Sequence, residues 1–91
     1  MAISVHSGAT TTGTGSWVQA SSRHSYVKIV IDGTARVGII TSETNGPGQG
    51  GTYIKRAEVR TDESILLPPG TYYINAEILE IDGTVDVVVQ N

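Results

Sequence analysis

The sequence predicts an all-β fold, an antiparallel β-sandwich or jelly roll of about eight short strands, and three observations carry this. Ten Val, ten Ile and eleven Thr stand beside only three Leu. Branched side chains are stiff at χ1 and suit a pleated surface, whereas helical chains draw on Leu, Ala, Glu and Lys. The tetrapeptide Ile-Asp-Gly-Thr occurs twice, at residues 31–34 and 81–84, each time between β-branched runs. An Asp-Gly step in that setting signals a hairpin. Finally, short apolar segments alternate with connectors rich in Gly, Pro, Ser and Asn, as in sandwiches and barrels.

Taken in order, strand character falls at residues 3–6, 16–20, 25–31, 35–41, 52–60, 64–67, 71–81 and 85–90. In the third and fourth, Val27, Ile29 and Ile31 share one face with Ala35, Val37 and Ile39, while Tyr26, Lys28 and Val30 take the other. A three-residue loop at 32–34 would pair Ile31 with Ala35, Ile29 with Val37 and Val27 with Ile39, keeping the faces apart. The second tetrapeptide repeats this logic, with Ile81 opposite Val85 and Leu79 opposite Val87. Upstream of it the apolar face runs through Tyr72, Ile74, Ala76 and Ile78, the opposite parity, so a β-bulge is expected at Ile78-Leu79. The fifty-residue offset is read as convergent turn chemistry rather than a duplication. Val85, Val87, Val88 and Val89 place apolar groups on both faces of the last strand, as in a central strand or one covered by a partner.

Ninety-one residues make one domain near the lower size limit for independent folding, with no Phe and no Cys to enlarge or staple the core. Such chains commonly add stability by association, so a homo-oligomer is expected. Residues 1–15 are read as an N-terminal strand or arm followed by a Ser/Thr/Gly-rich loop, and 16–91 as a single β-sandwich domain. The arm could add a strand to a neighbouring copy. A net charge of −3 argues against nucleic-acid and anionic-membrane binding, and no apolar run approaches the length of a bilayer span. The N-terminus lacks the charged and apolar regions of a secretion signal, so the expectation is a product made in a cytosol.

Candidate chemistry is sparse. Gly46-Pro47-Gly48-Gln49-Gly50-Gly51 spells G-x-G-x-x-G, but the strand-like Thr52-Tyr53-Ile54-Lys55 follows where a dinucleotide site needs a helix, so it is read as a hairpin loop. His6 and His24 lie in no nucleophile motif and are assigned surface or capping roles. Glu77, Glu80, Asp82 and Asp86 lack the spacing of a calcium loop. Arg36, Lys55, Arg56 and Arg60 form a basic concentration suited to a solvated face or to ion pairs. No catalytic residue, cofactor site or metal site is assigned. The residues assigned to a partner interface are Ile3, Val5, Trp17 and Val88, Trp being enriched at such contacts.

The order Gly-Ser-Trp-Val-Gln at 15–19, Ile-Asp-Gly-Thr-Ala-x-Val at 31–37, a Gly-rich loop, Ile-Leu-Leu-Pro-Pro-Gly-Thr-Tyr-Tyr-Ile-Asn-Ala at 65–76 and Asp-Gly-Thr-Val-Asp-Val-Val-Val-Gln at 82–90 resembles small virion proteins of tailed bacteriophages. The resemblance implies a structural, non-enzymatic protein that decorates or cements a capsid shell. Its partner would be the major capsid protein or another virion protein, its assembly often a trimer, and its location the capsid surface. A second resemblance centres on Leu67-Pro68-Pro69-Gly70-Thr71-Tyr72, which is similar to a turn of prealbumin-like and immunoglobulin-like accessory modules. There Pro and Gly shape the turn and Tyr packs inward. A carbohydrate-binding jelly roll is the third reading and requires Tyr26, Tyr53 and Tyr73 on one exposed face.

Overall fold

The computed structural model describes residues 2–43 and 53–91, and they form an all-β, antiparallel fold. Among the described residues there are seven strands: β1 (Ala2–Ala9), β2 (Gly13–Thr14), β3 (Val18–Gln19), β4 (Ser25–Ser42), β5 (Ile54–Val59), β6 (Glu63–Leu67) and β7 (Tyr73–Gln90). All belong to one hydrogen-bonded sheet with β1-β7-β4-β5 as its path. Short strands β2 and β3 add to β7, and β6 adds to β4.

The two expected hairpins are absent. Residues 25–42 run as one strand through the first tetrapeptide, and 73–90 as one strand through the second. Ile31 pairs with Val85, Ile29 with Val87, Val27 with Val89 and Ala35 with Ile81. The tetrapeptides therefore cross each other: Asp32 lies opposite Thr84, Gly33 opposite Gly83 and Thr34 opposite Asp82. Alternation across Asp-Gly reads identically for an odd hairpin loop and for an uninterrupted strand, because Ile31 and Ala35 share a face either way.

Glycine is needed at this crossing for its missing side chain as well as its backbone freedom. Gly33 and Gly83 have φ of 103° and 135°. A Cβ on Gly33 would overlap the Asp82 carbonyl oxygen, and one on Gly83 the Asp32 carbonyl oxygen. Within a strand, such glycines mark a bend or a close backbone approach. A straight strand of this length would span about 60 Å at ~3.3 Å per residue, yet the longest dimension of the molecule is 33 Å. Both long strands must bend.

On one side of the glycine pair lie β1, the C-terminal part of β7, the N-terminal part of β4, and β6. On the other side lie β5, the C-terminal part of β4, and the N-terminal part of β7 with β2 and β3. The inner faces of the two halves meet in one cluster: Val27, Ile29, Val85, Val87 and Val89 from the first half, Val37, Ile39, Ile74, Ala76 and Ile78 from the second. Among the described residues no helix covers the sheet, so it buries such residues by folding back on itself. The sheet is thus continuous; the all-β antiparallel class is as expected, with seven strands among the described residues and two of them far longer than the short strands expected.

The halves are related by a local two-fold through the glycine pair, with a shift of about fifty residues along the chain. β5 borders β4 as β1 borders β7. β6 borders residues 25–29 as β2 and β3 border 73–78. The repeated tetrapeptides occupy equivalent positions about this axis and make no turns, which replaces the reading of them as convergent turn chemistry. The bulge expected at Ile78-Leu79 is present: Arg36 pairs with Glu80 and Val37 with Ile78, leaving Leu79 unmatched.

Two polar features fasten the short strands. Asn75 is fully buried; its Oδ1 accepts from Gly15 N at 3.0 Å and Ala76 N at 2.7 Å, and its Nδ2 donates to Gly15 O at 2.8 Å. This clamp anchors the segment between β2 and β3. At the turn before β7, the Tyr72 hydroxyl donates to Pro68 O, and a Cβ on Gly70 would press within 2.9 Å of the Tyr72 ring.

Candidate functional site

Strand alternation sets the outer face of the first half. With Val27 and Ile29 directed into the core, Tyr26, Lys28 and Val30 must point outward. Tyr26 is 53% exposed and lies directly opposite Leu66, also 53% exposed. Val30 is 37% exposed, and Lys28 sits between Ser64 of β6 and the half-buried Val88 of β7. Tyr26, Leu66, Val30 and Val88 thus give this face apolar side chains around Lys28, with Asp86 opposite Val30.

The outer face of the second half carries charge instead. Glu58 gathers three cations, with Arg36 Nη1 at 2.9 Å, Lys55 Nζ at 3.1 Å and Arg60 Nη2 at 3.7 Å, while Arg36 Nη2 reaches Glu80 at 2.9 Å. The hydrogen bond from Lys55 chiefly holds the Glu58 carboxyl below the usual carboxylate range; burial opposes it, and the hydrogen bond from Arg36 adds to the lowering. The bond to Glu58 likewise raises the Arg36 guanidinium above its ordinary value. Three of the four cations in the basic concentration are therefore paired within the chain. The fourth, Arg56, is the unmatched residue between the Ala57–Ile39 and Lys55–Ile40 pairs, and its Nε donates to Thr41 Oγ1 at 2.9 Å. It borders an open cleft of about 440 Å³ with Glu43, Tyr53, Ile54 and Tyr72. Burial raises the Tyr72 hydroxyl pKa, and the positive charge of Arg56 partly offsets that effect.

The four residues assigned from sequence occupy different places. Val88 lies on the apolar outer face, half-buried between Ser4 and Lys28. Ile3 pairs with Val89 and packs against the core, and Val5, at 7% exposure, is part of the core itself. Trp17 is half-buried just before β3, in the other half of the molecule. Strand β1 adds to the chain's own β7. The residues of this face that were not assigned to the partner interface are Tyr26, Val30 and Leu66. Their signal was present: each is apolar at a position whose strand neighbours point inward, and Leu66 stands inside an Ile-Leu-Leu run too apolar for one-sided burial.

Other candidates resolve similarly. His6 Nε2 donates to Ala76 O at 2.8 Å, and His24 Nδ1 lies 3.3 Å from Leu67 O. Asp86 accepts from Gly8 N at 2.8 Å, and Glu80 is held by Arg36. Among the described residues no group of three His, Cys, Asp or Glu side chains could hold a metal ion. Tyr26 and Tyr53 lie at opposite ends of β4 and Tyr73 is half-buried, so the three tyrosines do not share one exposed face. The Gly-rich stretch 46–51 lies outside the described residues. Comparison with family models, curated proteins and solved structures finds no significant match to this chain.

Proposed function

We propose that this chain is a non-enzymatic structural protein of a tailed-phage-type virion, decorating the capsid shell and binding both the shell and further copies of itself. The observation that supports this reading is the apolar outer face of Tyr26, Val30, Leu66 and Val88 on continuous strands, a rigid patch suited to docking. The resemblance of residues 16–90 to small virion proteins supplies the setting. Repetition over a symmetric lattice lets modest affinity per contact suffice through multivalency. The test is cosedimentation of the purified protein with capsids from which it has been stripped, using wild type and a Tyr26→Ser/Leu66→Ser double variant. Wild type is expected to rebind and the double variant to lose at least tenfold in affinity. Equal rebinding would remove this face from the reading, and no copies in native particles would end it.

One contact favours the accessory-module reading as an alternative. Tyr72 packs on the core and donates to Pro68 O within the Leu-Pro-Pro-Gly-Thr-Tyr turn, as the inward Tyr of such modules would. A glycan-array signal lost on Tyr53→Ala at the cleft would favour a carbohydrate-binding form of it.

A further inference from the structure

We propose that β6 is the seam through which two copies of this chain join, its free edge pairing antiparallel with the β6 of a second copy about a two-fold at Ile65. This rests on the reading of the chain as an assembling protein and names the surface that does it.

Unpaired strand edges invite pairing, and proteins blunt them with bulges, charges, Pro or shortness. The other edges here are all blunted. β1 has two register shifts against β7 and contains Gly8 at φ 60°. β5 carries Lys55 and Arg56 and bulges at Arg56. β2 and β3 are two residues each. β6 differs: five residues, Glu63–Leu67, run in unbroken register with β4, with one charge at the first position and no Pro. Among the described residues β4 is its only strand partner.

The occupant follows from the strand's own sequence. A two-fold at Ile65 sets Ile65 against Ile65 of the second copy, Ser64 against Leu66, and Glu63 against Leu67, with no like charges opposed. The half-buried Ile65 would continue the inner apolar face. On the outer face the two Leu66 side chains become diagonal neighbours, within reach of one another. They join the two Tyr26–Leu66 pairs into one apolar stripe across the seam.

Five residues make a short seam, so the isolated contact is weak and must be measured up to about 1 mM by sedimentation equilibrium. Wild type is expected to reach a dimer, twice 9.6 kDa. Leu66→Lys, at an exposed position, is expected to weaken dimerisation at least tenfold, while Ile54→Lys on the β5 edge leaves it unchanged. A wild-type monomer at 1 mM, a trimer, or a Leu66→Lys variant that dimerises as well as wild type would overturn the seam. The two readings fail separately: a monomer that still rebinds stripped capsids removes the seam alone, and a dimer absent from native particles removes the virion role alone.

Discussion

Gly33 and Gly83 are the residues on which the architecture turns. Each needs a positive φ and has no room for a Cβ. Gly8 has φ 60° but open space around it, which separates the two effects. Gly8→Ala should cost about 1 kcal/mol, the conformational penalty alone. Gly33→Ala and Gly83→Ala should each exceed about 3 kcal/mol, because a backbone collision adds to a strained φ. Urea unfolding of the three variants checks this, and equal losses would show that crowding at the crossing is unimportant. Glu58 offers a test through pH. Its depressed carboxyl contributes stability that is fully present above the ordinary carboxylate range near pH 4.5 and is lost as pH falls through its lower folded value. Thermal unfolding of wild type and Glu58→Gln should therefore differ most above the ordinary carboxylate range and converge as pH falls below it. Because the cluster is exposed, that difference should also shrink in high salt.

At the scale of the element, the patterns that could be read were those fixed by local alternation. The inward faces of β4 and of both parts of β7 follow period 2, and the phase change at Ile78-Leu79 marked the bulge in advance. Deleting Leu79, the unmatched residue, removes the bulge while Ile74, Ala76 and Ile78 keep their inward face in unbroken alternation with Ile81 and Val85. The deletion is therefore expected to retain cooperative unfolding, as seen by near-UV circular dichroism, and its loss would show that the bulge itself is needed for the fold. Strand termini and partners were less legible. The hairpins were misassigned because Asp-Gly tolerates both a tight turn and a positive-φ kink, and the choice depends on what lies across the strand. The candidate docking face was half visible. Val88 was recognised from its valine run, but Tyr26 and Leu66 come together only when β6 is placed beside β4.

For the whole molecule, the defining feature is the pairing of β4 with β7 over seventeen residues from sequence-distant halves. Each half on its own lacks the long partner strand and half of the core. If the chain is made as two pieces, 1–48 and 49–91, each is expected to be unfolded alone, and mixing is expected to restore the β-sheet circular dichroism spectrum. Independent folding of either piece would contradict an interlocked core. Long-range pairing of this kind also requires loop closure before any contact rewards it, so slow folding is expected.

The amino-acid sequence alone determined the class, the buried faces and the bulge, because side-chain stiffness and period-2 alternation act between near neighbours along the chain. Only the tertiary structure decided that the two Asp-Gly steps meet each other rather than turn, that one sheet folds on itself, and that Tyr26, Leu66 and Val88 share an outer face. Those outcomes depend on which strands lie side by side, and that is settled by burying apolar area between segments about fifty residues apart, an energy that no local pattern records.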